Sequence, residues 1–222
     1  MFMAKILSIQ VGLPKTMVYL SPQDGRAESW RSAIYKETVS GPVWAGTTDL
    51  AGDAQGDLRV HGGVDKAVYA YPSEHYPLWR AELGLPEMAF GAFGENLAVE
   101  GLLEGEVCIG DVLRAGEARL QVSQPRGPCW KLARRWKSRG LEKRFSETGR
   151  TGFYLRVLAE GYVEAGMALE LVERPAPEWS VLRAHRLLEK VSSDPAAAAA
   201  LSELPTLSLS CRRDLKKHLG LD

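Results

Sequence analysis

The feature that most limits the fold of this chain is its punctuation. Short apolar runs, several of them alternating, are separated every few residues by glycine or proline, and only one or two helical stretches interrupt them before residue 174. Strand–helix alternation is not sustained, which disfavours a parallel α/β sheet. The expected fold is mainly β: a barrel with peripheral helices. Lys5 to Val11 reads as the opening strand, and a turn-rich stretch with Pro14, Pro22, Asp24 and Gly25 follows. Ser32 to Val39 reads as a second strand ended by Gly41-Pro42, and Val43-Trp44 begins a short one. Ala67 to Tyr71, Leu97 to Val99, the pieces of Val107 to Leu113 around Gly110-Asp111, residues 118–123, Gly149 to Val157 and Met167 to Val172 supply the rest.

Between these strands, Pro72-Ser73-Glu74 starts a helix that runs to about Leu83 and stops at Gly84. Trp130 to Phe145 is basic and broadly helical, with a break at Gly140 and a first short helix over Leu132 to Lys137. After Arg174-Pro175-Ala176-Pro177 the composition changes. Trp179 to Val191, Pro195 to Leu204 and a piece near Leu207 to Leu219 are helical, and Asp194-Pro195 is a cap followed by proline at the first helical position. The expectation is a β-barrel domain over 1–174 and a small all-α C-terminal unit over 178–222, too small to fold alone and expected to dock.

Charge is balanced, with 28 basic and 28 acidic residues, which argues against a broad nucleic-acid or anionic-membrane surface. No 18-residue apolar run and no secretory signal are visible, so no membrane or nucleic-acid partner is expected. The three cysteines, Cys108, Cys129 and Cys211, are far apart and form neither a zinc pattern nor a disulfide framework. A reducing, cytoplasmic setting follows.

The chemistry concentrates in Gln124-Pro125-Arg126-Gly127-Pro128-Cys129-Trp130-Lys131, a strand-to-helix connection. Its two prolines fix φ and stiffen it. A cysteine held between Arg126 and Lys131 is placed where nearby positive charge lowers a thiol pKa, and a thiolate attacks electrophiles or binds soft metals. The competing expectation is a small buried hydrophobe. Leu50 to Asp65 is a second unusual segment, polar and glycine-rich, with His61 ahead of Gly62-Gly63. Free amides of such glycines approach anions closely, although a tight surface loop explains the pattern equally well. In Gly94-Glu95-Asn96-Leu97, Asn96 either holds a turn or offers its amide to a polar heterocycle.

Taken together, Gly52-Asp53, His61-Gly62-Gly63, Gly94-Glu95-Asn96-Leu97, Gly110-Asp111, Pro125-Arg126-x-Pro128-Cys129 and Gly152-x-Tyr154-x-Arg156 resemble the MOSC domain, the C-terminal domain type of molybdenum cofactor sulfurases. The chain is similar in particular to stand-alone bacterial proteins of the YiiM type, which carry three helices after the barrel. The resemblance implies the molybdenum cofactor, a pterin dithiolene bearing a phosphate, with Cys129 as the protein ligand to the metal. Arg126, Lys131, Asn96, Gly62, Gly63, Arg59 and Arg156 are the expected cofactor-binding residues, and His61 the expected proton donor beside the catalytic Cys129. It further implies reduction of N-hydroxylated small molecules, such as hydroxylaminopurines, amidoximes and hydroxylamines. No flavin, haem or iron–sulfur motif is visible, so electrons are expected from a separate reductase, a flavoprotein. Two alternatives stay open: a sulfur carrier using a persulfide on Cys129, and a non-catalytic module that stores the cofactor.

Overall fold

The computed structural model describes residues 4–20, 26–58 and 62–221. Twelve strands run in chain order as β1 (Ala4–Val11), β2 (Lys15–Leu20), β3 (Ala27–Ser32), β4 (Glu37–Val39), β5 (Val43–Ala45), β6 (Val68–Pro72), β7 (Leu97–Glu100), β8 (Val112–Ala115), β9 (Ala118–Pro125), β10 (Phe153–Ala159), β11 (Gly161–Val163) and β12 (Ala168–Glu173). The α-helices whose bounds lie among the described residues are α1 (His75–Leu83), α2 (Trp130–Trp136), α3 (Leu141–Thr148), α4 (Val181–Glu189), α5 (Pro195–Ser202) and α6 (Leu209–Leu219).

The main sheet has the order β12-β8-β9-β10-β6-β7-β1-β4, and a further pairing of β12 with β1 closes seven of these strands into a barrel. Closure removes the exposed edges that an open sheet would leave. All ladders are antiparallel except β6 with β7, whose parallel pairing is crossed by α1 and the loop after it. The alternation that marked β9 in the sequence places Ala118, Leu120 and Val122 in the core and Arg119 at the surface. From Val122 onward every residue of β9 is buried, because the C-terminal helices cover the outer face there. Ser208 N–H donates to Ser123 O at 2.9 Å, and Leu209 N–H to the Asp65 carboxylate at 3.0 Å.

The C-terminal helices share the barrel's apolar cluster. Val181, Ala184, Leu187, Ala198, Leu201, Leu207 and Leu215 belong to one continuous buried group with Leu113, Leu120 and Val122 of the barrel. Ser180, Asp194 and Ser208 cap α4, α5 and α6 by accepting backbone N–H groups, which ends each loop cleanly. No helix among the described residues is long and apolar enough to cross a membrane.

Three local expectations differ from the structure. The run Ser32 to Val39 is two strands, β3 and β4, with a bend at 33–36. There Ile34 N–H turns onto Ser32 Oγ at 3.2 Å, Ile34 packs into an aromatic cluster, and the Arg135 guanidinium donates to Ile34 O. These contacts outweigh the alternation. The turn-rich stretch contains a hairpin instead, β2 against β3, in register from Lys15↔Ser32 to Leu20↔Ala27. Its residues are mostly exposed, so it lacks the apolar face that announces a strand. In Val107 to Leu113 only the end enters a ladder strand, while Cys108 makes a lone bridge to Ser180.

Candidate active site around Cys129

The strand β9 ends at Pro125, and Arg126-Gly127-Pro128 carries the chain to Cys129, whose extended backbone (φ −137°, ψ 122°) opens α2. No side-chain cap bond engages the Cys129 sulfur. Behind it lies Arg126, only 6% exposed. Its guanidinium sits 4.7 Å above the Tyr69 ring and 5.5 Å from the Phe145 ring, and Nη1 donates to the Tyr69 hydroxyl at 3.2 Å. That hydroxyl donates onward to Thr151 O at 2.7 Å, so Tyr69 is fixed as an acceptor toward Arg126.

Burial works against the Arg126 charge, but the oxygens of Tyr69 and Tyr154 and the Cys129 sulfur outweigh it, and its pKa is raised above the usual arginine range. Among the described residues no carboxylate pairs with Arg126. A buried cation without a carboxylate is costly unless some anion faces it. The Cys129 sulfur is among the groups that favour its charge. Burial pushes the Tyr69 and Tyr154 phenols up, so both stay neutral donors and acceptors.

The opposite wall is built on Asp53, which accepts from Gly12 N–H at 2.8 Å, from Asn96 Nδ2 at 2.8 Å and from Lys36 Nζ. Asn96 also donates to Gln10 O at 3.2 Å and accepts from Tyr69 N–H at 3.0 Å. Its amide therefore ties β1, β6 and the Asp53 loop together. Burial lowers the Lys36 pKa, with Asp53 acting in the opposite direction. Next door, the fully buried Glu95 accepts from the Tyr76 hydroxyl and from the Gly91 and Phe93 N–H groups, which shapes the turn that delivers Asn96.

These walls enclose a cavity of about 80 Å³ lined by Lys36, Asp53, Asn96, Tyr69, Lys66, Arg126, Cys129, Lys131 and Tyr154, among others. An outer hollow of about 410 Å³, between Trp30 and Trp130, shares Gly56, Cys129 and Lys131 with it. Cys129 thus stands where the two meet. Gly56 admits no side chain, because a Cβ there would lie 2.9 Å from the Ser32 Cα.

Of the residues singled out from the sequence, the structure brings Cys129, Arg126, Lys131 and Asn96 to one cavity. Lys131 Nζ donates to Arg31 O at 3.1 Å. Gly62 and Gly63 do not line it. Gly63, at φ 94°, instead caps the short 3-10 turn Val64–Lys66 that carries Lys66 to the cavity. Arg156 lies elsewhere: its guanidinium binds Asp65 at 2.6 and 2.8 Å, Gln121, and Thr206 O at 3.3 Å, joining the barrel to the helical segment. Arg59 and His61 fall outside the described residues. Lys36, Asp53, Lys66, Tyr69 and Tyr154 also line the cavity, and they are not among the site residues expected from the sequence. Asp53 lies in Gly52-Asp53 and Tyr154 in Gly152-x-Tyr154-x-Arg156, and Lys36 is a charge in the apolar run SAIYKETV. Burial pushes the other two thiols, Cys108 and Cys211, up.

Residues 57–170 match the MOSC domain family. This chain is a member of that family. It is 42% identical over 219 residues to protein YflK of Bacillus subtilis (strain 168), covering 94% of each chain. It is 39% identical over 206 residues to a protein named "Reductase" from Gibberella moniliformis, covering 88% of this chain and 36% of that longer one. The crystal structure of YiiM from Geobacillus stearothermophilus is similar throughout, with a TM-score of 0.80 at 39% identity over 97% of this chain and 99% of that one.

Proposed function

We propose that this MOSC protein binds a molybdenum cofactor through Cys129 and reduces N-hydroxylated small molecules, among them hydroxylaminopurines, amidoximes and hydroxylamines. The observation that carries the reading is a cysteine sulfur that makes no cap bond, beside a buried arginine with no carboxylate partner among the described residues. Thiolate is a soft ligand suited to such a metal, and a permanent buried cation suits an anionic cofactor beside it. The donor set fits the group. Among the described residues no cluster of three or more His, Cys, Asp or Glu could hold a metal ion, so Cys129 would be a lone protein ligand and the dithiolene would complete the coordination.

When bound, the cofactor supplies oxygen-atom acceptance from the N–OH group; overall, two electrons and two protons convert R–NHOH to R–NH2 and water. The chain's own residues bind and orient. Arg126 holds positive potential behind the sulfur. Lys131 and Lys66, which both line the cavity, are the cations proposed for the phosphate-bearing cofactor. The Asp53–Asn96–Lys36 network keeps the facing wall rigid. His61, outside the described residues, is the proposed proton donor. Electrons come from a separate reductase, a flavoprotein. A MOSC-like segment occupying 36% of a longer protein named "Reductase" supports a division between this unit and other parts. A reducing, cytoplasmic setting keeps the thiol available.

The test is molybdenum and pterin content after expression in a host that makes the cofactor, for the wild type and for Cys129→Ala. Near-stoichiometric metal in the wild type and its loss in the variant is the expected result. Metal in neither overturns the proposal, and sulfane sulfur on Cys129 without molybdenum would replace it with sulfur carriage. Equal metal in both would remove Cys129 from the centre.

A further inference from the structure

The outer hollow beside Cys129 has one wall that belongs to neither the barrel nor its helices. Trp30 and Arg31 come from the β2–β3 hairpin, a separate two-stranded sheet, and they line the hollow together with Trp130 and Lys131 at the start of α2. The hairpin has almost no core of its own. Among the described side chains of its two arms, Ser32 is buried and only Met17 and Trp30 are half-buried, while Val18, Tyr19, Glu28 and Ser29 are exposed. Met17 and Trp30 are directly opposed in the register.

Core packing therefore does not hold the hairpin in place, and three residues of α2 do. The Trp130 ring meets the Trp30 ring edge-on, with centroids 5.5 Å apart and an interplanar angle of 64°. Lys131 Nζ donates to Arg31 O at 3.1 Å. The Arg134 guanidinium lies 4.1 Å above the Tyr19 ring and donates to the Glu28 carboxylate at 2.8 Å. Tyr19 and Glu28 are partners across the hairpin, so one side chain grips both strands at a single rung. A planar cation that stacks and hydrogen-bonds at once fixes orientation as well as attraction. Because α2 opens at Cys129, this grip sets the distance of the hairpin from the sulfur.

We infer that the hairpin is the specificity element of the site, in which Trp30 sets the width of the approach to Cys129 and Arg134 keeps that width fixed. The inference rests on the reductive reading and adds a requirement to it. With the inner cavity given to the cofactor, the outer hollow is the substrate's side of Cys129, and a molecule entering there must be slender next to its N-hydroxyl group. A branched substituent at that nitrogen meets the Trp30 wall and is turned away.

N-methylmaleimide and N-tert-butylmaleimide share one thiol chemistry and differ in bulk. Their rates at Cys129, read by peptide mass spectrometry in purified full-length protein from a host that does not make the cofactor, report the width directly. In the wild type the methyl reagent is expected to react about tenfold faster. Trp30→Ala is expected to cut that preference to about threefold or less. Arg134→Ala, which frees the hairpin and keeps its tryptophan, is expected to raise both rates by about two- to fivefold. A preference unchanged in Trp30→Ala, even with both rates raised, overturns the inference, as do unchanged rates in Arg134→Ala. Labelling needs no metal and reads the approach alone, while turnover of hydroxylamine and N-tert-butylhydroxylamine by molybdenum-loaded protein reads the reduction. A preference relaxed in Trp30→Ala, with no turnover of either substrate, would overturn the reductive reading and leave the width control standing. Turnover whose kcat/KM ratio for the two substrates is the same in the wild type and in Trp30→Ala would overturn the width control and leave the reduction.

Discussion

Two cores meet in this molecule and are built from different materials. One is aliphatic: Ile6, Val68, Leu97, Leu113, Leu120 and Leu155 fill the barrel and continue without a break into Leu187, Leu201 and Leu215 of the C-terminal helices. The other is aromatic, with Tyr69, Tyr71, Tyr76, Trp79, Phe93, Phe145 and Tyr154 gathered under α1, α2 and α3. Tyr71 stacks on Phe93 with centroids 4.4 Å apart, and donates through its hydroxyl to Arg150 O. The aliphatic core stabilises by apolar burial. The aromatic core tolerates them, because ring faces and phenol oxygens accept cations and N–H groups that aliphatic side chains cannot satisfy. Arg126 and Glu95 are buried there, and so the cysteine site is placed beside that core.

The contrast can be broken in three places. Leu201→Ala removes a fully buried side chain of α5 from the aliphatic core, at an expected cost of about 2–5 kcal/mol. That corresponds to a fall in Tm of roughly 10 °C for a chain of this size. Calorimetry should show one transition for barrel and helices together, and a separate early transition would mean the helical segment has its own core.

Glu95→Gln keeps the shape but exchanges a carboxylate acceptor for an amide that must place an N–H against the Gly91 or Phe93 donor. A loss of about 1–3 kcal/mol is expected in urea titration. No loss would mean that the turn before Asn96 is held by packing alone.

Arg126→Met should change stability least, by about 1 kcal/mol and in the stabilising direction, because a buried cation with no carboxylate partner among the described residues gives way to an apolar chain that still packs on the Tyr69 and Phe145 rings. Cofactor content should nevertheless collapse. A large destabilisation would identify Arg126 as a structural keystone of the aromatic core and not a group kept for the site.

Much of the barrel could be read from periodicity and turn chemistry. Gly84 and Gly149 end α1 and α3 in the left-handed conformation, where the sequence placed stops or turns. The Cys129 loop was legible because prolines and flanking charges are local facts. Asn96 was legible as a polar residue in a glycine turn, but not as the amide that joins β1, β6 and Asp53, since Asp53 is 43 positions away. Arg156 looked like a site cation and is engaged by Asp65, 91 positions away, on the side facing the C-terminal helices. The exposed hairpin of β2 and β3 escaped because a strand without a buried face leaves no apolar period.

What the sequence by itself determined is short in range: which segments extend, where glycine or proline must turn them, and that a cysteine sits in a stiff basic loop. These follow from backbone sterics and from side-chain period, which act over a few residues. Only the closed barrel decided that Arg126 would be buried with no carboxylate partner among the described residues, that Lys36 and Lys66 would join it around Cys129, and that α4 and α6 would face the Gln124-to-Pro128 loop across a cleft. Burial and electrostatic field are set by every segment that arrives at a point, and those segments lie tens of residues apart in the chain.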